Sequence, residues 1–271
     1  MKPLDNFDIW HERLKKEKTS EVAFNVEESS ILLKELLEAP VDKYPPVFSW
    51  YIRSKWSDVF KRIKASAPIE VLELASGASA HIPNVIAKHY ENPRTKYTTF
   101  NLNKKLTASF KSSTIKLPIT IEVVEDAAQN ISDHIGKNKM DAVVFEHAIN
   151  DILQGMFAER NGIDTINTDW FDILPEMVKI ISAEYKNKSF EAAVKNEFTE
   201  LLNSCFNVLK PGGVMVFFHH LYQSDLDLGY DVDLYENIVD IARKWIHEAK
   251  IGKEVFFDGF EPHWWMFIQK I

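Results

Sequence analysis

The chain has 271 residues, 45% of them apolar and 27% charged, an ordinary globular composition that excludes wholesale disorder. Its 32 Lys and Arg against 40 Asp and Glu leave a net charge of −8, which argues against a general nucleic-acid binder, whose surface must neutralise phosphates. The single cysteine, Cys205, excludes an internal disulfide framework and a cysteine-based zinc cluster; with no cationic neighbour in its apolar stretch, it reads as a core thiol rather than a nucleophile. Met1–Lys18 mixes charged with apolar residues and so lacks a secretory core, and no apolar run approaches the ~18–20 residues of a membrane span. The expectation is a cytoplasmic protein without a membrane partner.

Residues 1 to about 66 read as a helical extension. Ile31, Leu32, Leu33, Leu36 and Leu37 form one apolar stripe, and Trp50, Ile52, Trp56, Val59, Phe60 and Ile63 form a second. Pro45-Pro46 is expected to keep the connection between them extended. From about residue 69 short apolar runs alternate with helical patterns. Strands are predicted at Ile69–Ala75, Tyr97–Leu102, Ile119–Val124, Asp141–Phe145, Val214–Phe218, Glu254–Phe257 and Trp264–Ile268. Helices are predicted at Ala80–Tyr90, Lys104–Lys111, Ile173–Tyr185, Phe190–Leu209 and Leu234–Ala249. Continuous apolar runs spaced by helices indicate βαβ units and a mainly parallel sheet. More than forty residues separate Glu146 from Phe190, too many for a plain connection, so about 151–188 is read as an inserted cap.

In an open α/β sheet, ligands bind beyond the carboxyl ends of the strands. The residues released there are Ser76, Gly77, Ala78 and Ser79; Asn101, Leu102 and Asn103; Glu125, Asp126 and Ala127; Glu146, His147, Asn150 and Asp151; and His219, His220 and Tyr222. Five strand ends in register that each release polar or small residues outline a site. Small residues after the first strand let a ligand approach the backbone, although a tight turn without a ligand has the same composition. Only Gly77 survives of a glycine triplet, so a dinucleotide loop is absent.

These residues resemble the class I S-adenosylmethionine-dependent methyltransferases. The family's first motif, E/D-x-G-x-G-x-G, stands here as Glu73-Leu74-Ala75-Ser76-Gly77-Ala78-Ser79. Asn101 stands where the family ends its second strand on an acid. Glu125-Asp126-Ala127, Met140–Phe145 and Leu209-Lys210-Pro211-Gly212-Gly213 match its adenine motif, its fourth strand and the lead-in to its fifth. The resemblance covers about residues 69–271. It implies an α/β fold with a Rossmann-like, mainly parallel sheet closed by an antiparallel hairpin, here in residues 67–271. It implies S-adenosylmethionine as cofactor, with Glu73 and Glu146 toward its charged groups and Ala75 and Gly77 beside it. Asn101 and Leu102 are expected at the ribose, and Asp126 and the Ala127 amide at the adenine. An amide accepts on one atom only, so Asn101 points to weaker binding or to compensation by Asn103. Asp126 is equally suited to cap the following segment.

For catalysis the candidate base is His147; a histidine bonded to backbone at a helix start is the competing reading. Asn150, Asp151, His219 and Tyr222 are the candidate acceptor-binding residues, and strand alternation allows only one of His219 and His220 to face the cleft. No metal is expected. After Phe145 the chain reads Glu-His-Ala-Ile-Asn, not the N/D-P-P-Y/F/W signature of enzymes that methylate bases or glutamine. Trp50, Tyr51, Trp56, Trp170 and Phe171 lie in the two covering segments, although plain core packing also explains the tryptophans. The expected activity is methyl transfer to oxygen or nitrogen of a small or medium organic acceptor, not a nucleic acid; the alternative is a non-catalytic cofactor-binding partner or sensor.

Overall fold

The computed structural model describes residues 45–63 and 67–271. The first apolar stripe, Ile31–Leu37, lies outside the described residues, as does most of the expected helical extension. Helix α1 (Pro45–Arg62) contains the second stripe. Pro45-Pro46 does not hold an extended connection; the pair forms the first turn of α1, where a missing N–H costs nothing. Tyr51, Ile52, Trp56, Val59 and Phe60 are fully buried, while the side chain of Trp50 lies outside the description. Trp56 is core rather than a wall of the cleft, set edge-on to Trp265 at 5.2 Å.

The sheet contains β1 (Glu70–Leu74), β2 (Lys96–Phe100), β3 (Thr120–Val124), β4 (Met140–Glu146), β5 (Leu209–Phe218), β6 (Lys253–Val255) and β7 (Trp265–Gln269). Their order is β3-β2-β1-β4-β5-β7-β6; the first five strands are parallel and β7 runs antiparallel to both of its neighbours. This is the expected parallel sheet with a closing hairpin. The helices after β1, β2 and β3 are α2 (His81–His89), α3 (Lys104–Thr114) and the short α4 (Ile131–His134). After β4 come α5 (Ala148–Arg160), α6 (Trp170–Lys186) and α7 (Phe190–Val208). Short helices α8 (Gln223–Asp227) and α9 (Val232–Tyr235) and the longer α10 (Ile238–Glu248) follow β5.

Alternate strand residues feed two cores. Leu72, Leu74, Val143, Phe145, Met215 and Phe217 pack with α5, α6, α7 and α10. Val71, Ala142, Val144, Val216 and Phe218 pack with α1, α2 and Trp265 on the opposite face. The segment read as a cap is mostly two core helices: Leu153, Phe157, Leu174, Met177 and Ile181 join the first cluster. Residues 161–169 and 187–188 are the parts outside these helices. Cys205, on α7, is fully buried in the first cluster, and its burial pushes the thiol pKa up, as a core thiol requires.

At the opposite sheet edge from the strand ends, Asp141 ties three elements. Its Oδ2 accepts from the Glu70 amide at 2.8 Å and from Lys210 Nζ at 2.9 Å. Gly213 sits in the same crowded lead-in, where an added Cβ would lie 2.9 Å from the Lys210 carbonyl and 3.0 Å from that of Asp141. The lead-in motif thus fixes the β4–β5 register by close backbone approach. Among the described residues, no helix is long and apolar enough to cross a membrane.

Candidate functional site

A cavity of about 440 Å³ opens at the carboxyl ends of β1, β2 and β3. It brings together seven of the predicted site residues: Ala75, Gly77, Asn101, Leu102, Asp126, Ala127 and Asp151. Phe100, Leu106, Ile152 and Met156 supply apolar wall, and Ile163–Ile166 and Trp170 come from the loop and the start of α6. Phe171, grouped with Trp170 in the sequence, is instead 66% exposed. The charged residues of the lining are Asp126, Asp151, Glu159 and Asp164, with no lysine or arginine among the described residues.

The turn after β1 is built on two left-handed residues, Ala75 (φ 52°) and Gly77 (φ 57°). Asn101 holds it: Nδ2 donates to the Gly77 carbonyl at 2.7 Å. The backbone of Asn101 is itself fixed, its amide donating to Val124 O and its carbonyl accepting from Thr107 Oγ1. An acid at this position could not make the bond to Gly77, so the amide has a structural reason to replace it. Asn103 also lines the cavity, with its side chain engaged in the local fold. Its Oδ1 accepts from the Leu106 amide as the N-cap of α3, and its Nδ2 donates to the Thr165 and Thr168 carbonyls. With Lys104 N donating to Ile166 O and the Lys105–Asp169 ion pair, it binds the 161–169 loop against α3.

Asp126 is not the N-cap of the following segment, where Ala127 and Asn130 stand at the helix starts; it ties that segment together through side chains. Its carboxylate accepts from His134 Nε2 at 2.8 Å, Asn130 Nδ2 at 2.9 Å and the Ala127 amide at 2.7 Å. Those bonds, from His134 first, hold its pKa below the usual carboxylate range. The residue also lines the cavity.

Glu73 and Glu146 stand outside the cavity lining. Glu73 is buried and accepts from Tyr97 Oη at 2.5 Å; burial, then the Glu146 charge, raise its pKa. Glu146 Oε1 accepts from His81 Nδ1 at 2.6 Å and from Ser79 Oγ at 3.1 Å, while its buried Oε2 has no partner. Tyr97 and His81 were not among the predicted residues. His81 stands two residues beyond the first motif and Tyr97 opposite Val71 in the β1–β2 register, and only the folded chain brings either to an acid.

Beyond β4 and β5 lies a second polar group. His147 is left-handed (φ 54°), the N-cap of α5, and its Nε2 donates to the His220 carbonyl at 2.7 Å. It is therefore bonded to backbone at a helix start, and that bond leaves the lone pair on Nδ1, the atom able to take a proton. Its ring stacks on His219 at 4.4 Å and on Tyr222 at 4.7 Å. Asp225 Oδ2 lies 3.7 Å from His147 Nε2 and accepts from the Tyr222 amide at 2.8 Å. Asn150 is buried and donates to Asp151 Oδ1 at 3.0 Å; Gln154, one turn on, donates to Tyr230 Oη at 2.8 Å. Asp151 belongs to both regions. It lines the cavity, and burial first raises its pKa to about 6, with Asp225 raising and His147 lowering it. His219 and His220 both follow β5. The first stacks on His147, while the second packs edge-on to Tyr222 and Trp264, as alternation requires.

Both histidines are buried, and burial lowers both pKa values, that of His220 from 6.5 to about 3. A depressed value favours folding above 6.5, where the unfolded imidazole is also neutral; this advantage is lost as pH falls toward 3. In His220→Gln that loss is removed. The variant's stability relative to the parent is expected to rise by about 2 kcal/mol between pH 7.5 and pH 5, read from urea unfolding at both values. An unchanged difference counts against a neutral buried His220.

No family model and no curated protein sequence matches the chain. Solved structures do. A protein of Methanococcus maripaludis described as an S-adenosyl-L-methionine-dependent methyltransferase aligns over 92% of this chain and 94% of its own, with a TM-score of 0.51 at 12% identity. The chain has the class I methyltransferase fold. A SAM-dependent methyltransferase of Aquifex aeolicus aligns over 91% of this chain and 98% of its own (TM-score 0.46, 11% identity). The CurJ carbon methyltransferase aligns over 97% and 70% (TM-score 0.48, 14% identity). At such identities the likeness carries the fold, and function has to be argued from the site.

Proposed function

We propose that the protein is an S-adenosylmethionine-dependent methyltransferase acting on a small organic acceptor. The observation that carries this reading is the acidic, apolar-walled cavity at the strand ends. The cofactor has a flat adenine, a ribose, and a sulfonium and an ammonium against one carboxylate, hence a net positive charge. Phe100, Leu102, Leu106, Ile152 and Met156 suit the ring, and Asp126, Asp151, Glu159 and Asp164 suit the charge. Asp126 would hold the adenine edge through the acceptor capacity its present bonds leave, and Asn101 Oδ1 the ribose, with Ala75, Gly77 and Ala127 beside them. The cofactor supplies an electrophilic methyl group. The protein's own tasks are to orient the acceptor and to take its proton, for which the candidates are Asp151, in the cavity lining, and His147 through Nδ1.

The acidic lining also favours a small acceptor over a nucleic acid, whose phosphates it would repel. Calorimetric titration with S-adenosylhomocysteine tests the cofactor reading. Saturable binding is expected, weakened about tenfold or more in Asp126→Ala; absence of binding to the folded protein overturns it.

A further inference from the structure

Asp151 leads from the cavity to a group of buried polar side chains on α5, β5 and α8. Asn150, Gln154 and His219 are each at most 2% exposed. Asn150 spends its amide N–H on Asp151 and Gln154 its own on Tyr230, which leaves Asn150 Oδ1 and Gln154 Oε1 buried with no partner among the described residues. Among them His219 likewise has no partner on either ring nitrogen. An unmet buried acceptor costs about 1–3 kcal/mol; Asn150 and Gln154 lie one turn apart on α5, and His219 stacks at 4.4 Å on His147, the N-cap of that helix, so the three point to a ligand that donates.

The charge has the same sense. Asp225 raises the pKa of Asp151, and both acids feel His147; Tyr230 and Tyr235 feel both acids. Among the described residues, no lysine or arginine acts on these side chains. Above pH 6 Asp151 is thus an ionised, half-buried carboxylate whose basic neighbour among the described residues is His147 rather than a lysine or arginine, an arrangement that favours a ligand bringing positive charge. Among the described residues no three His, Cys, Asp or Glu side chains converge in a manner that could hold a metal ion.

We propose that the methyl acceptor is an amine or related nitrogen cation, held by Asp151 and Asp225 with Asn150, Gln154 and His219 accepting its N–H groups. This rests on the methyltransferase reading and narrows its acceptor to nitrogen. In it Asp151 has two tasks: it attracts the protonated amine and then takes the proton that must leave before the nitrogen lone pair is available.

The test is calorimetry at pH 8 on the full chain saturated with S-adenosylhomocysteine, whose own ammonium then occupies the cofactor site. Three probes of similar shape are titrated: benzylammonium, benzyl alcohol and benzoate. Benzylammonium is expected to bind at least tenfold tighter than the other two, and Asp151→Asn, titrated with S-adenosylhomocysteine raised to saturate that variant, to remove that preference. Benzylammonium that binds no tighter than the others, or not at all, overturns the proposal and leaves the cofactor reading standing. A preference that survives in Asp151→Asn also overturns it. Asp225→Asn provides the same comparison if Asp151→Asn does not fold. If S-adenosylhomocysteine fails to bind, the cofactor reading falls, and the same preference is then required of the unliganded protein.

Discussion

Asn101→Asp, which restores the acid common at the end of the second strand in this fold, is expected to weaken S-adenosylhomocysteine binding about tenfold. Two effects oppose each other. A carboxylate accepts from both ribose hydroxyls where an amide accepts on one atom, which favours the acid. Against it, Asn101 Nδ2 donates to the Gly77 carbonyl at 2.7 Å, and a carboxylate sets two acceptors against one another there. The amide and carbonyl of Asn101 are pinned to Val124 and Thr107, so the backbone cannot withdraw the side chain. The new anion would also join a wall that already carries Asp126, Asp151, Glu159 and Asp164. Losing the bond costs about 1 kcal/mol, and the left-handed turn at Ala75 and Gly77 loses its brace, so the second effect prevails. Calorimetry of the parent, Asn101→Asp and Asn101→Ala decides it. Binding tighter in Asn101→Asp than in the parent refutes the account of this turn.

The largest loss of stability is expected from Gly252→Ala, remote from the cavity. Gly252 joins α10 to β6 with φ at +65°, in the region that disfavours any Cβ. An added Cβ would lie 2.7 Å from Ile268 Cγ2, 2.7 Å from Phe206 Cε2 and 2.9 Å from the Gln269 carbonyl. Backbone strain and overpacking together cost about 3 kcal/mol or more, which lowers the melting temperature by about 8 °C or more. Gly162→Ala separates the two causes: its φ is +70°, but nothing lies within 4 Å of its Cβ position. It should lose only the backbone part, about 1 kcal/mol. Equal losses in the two variants would show that crowding at Gly252 contributes nothing.

The strands were legible because a buried parallel strand is a continuous apolar run, and β1, β4 and β5 are buried on both faces. Their order placed the cavity residues, since whatever follows such a run lies at the ligand edge. Helix α5 was not legible. Its inward face includes Asn150 and Gln154, which break the apolar stripe that a helix inside a core normally shows. Side-chain engagement was beyond reach as well. Nothing local to Glu73 indicates that Tyr97, one strand away, occupies its carboxyl, nor to Asn103 that it reaches more than sixty residues to Thr165 and Thr168. The proline pair at 45–46 misled because a proline that breaks a helix interior is welcome in its first turn.

The order of the strands also governs how the molecule meets copies of itself. A sheet ends in two edges, and an unpaired edge is a template for one more strand. Here the edges are β3 and β6. On β3, Thr120 and Glu122 are exposed, and Glu122 is ion-paired to Lys96 of the adjacent strand. On β6 only three residues, Lys253–Val255, are extended, and Glu254 is held by Arg243 at 2.8 Å. One edge is charged and the other too short to guide a partner, while the long apolar strands β4 and β5 are enclosed by neighbours on both sides. The hairpin that reverses the sheet's direction therefore also shields its most aggregation-prone segments, and the polypeptide can carry a core rich in phenylalanine and tryptophan without offering it to a neighbour.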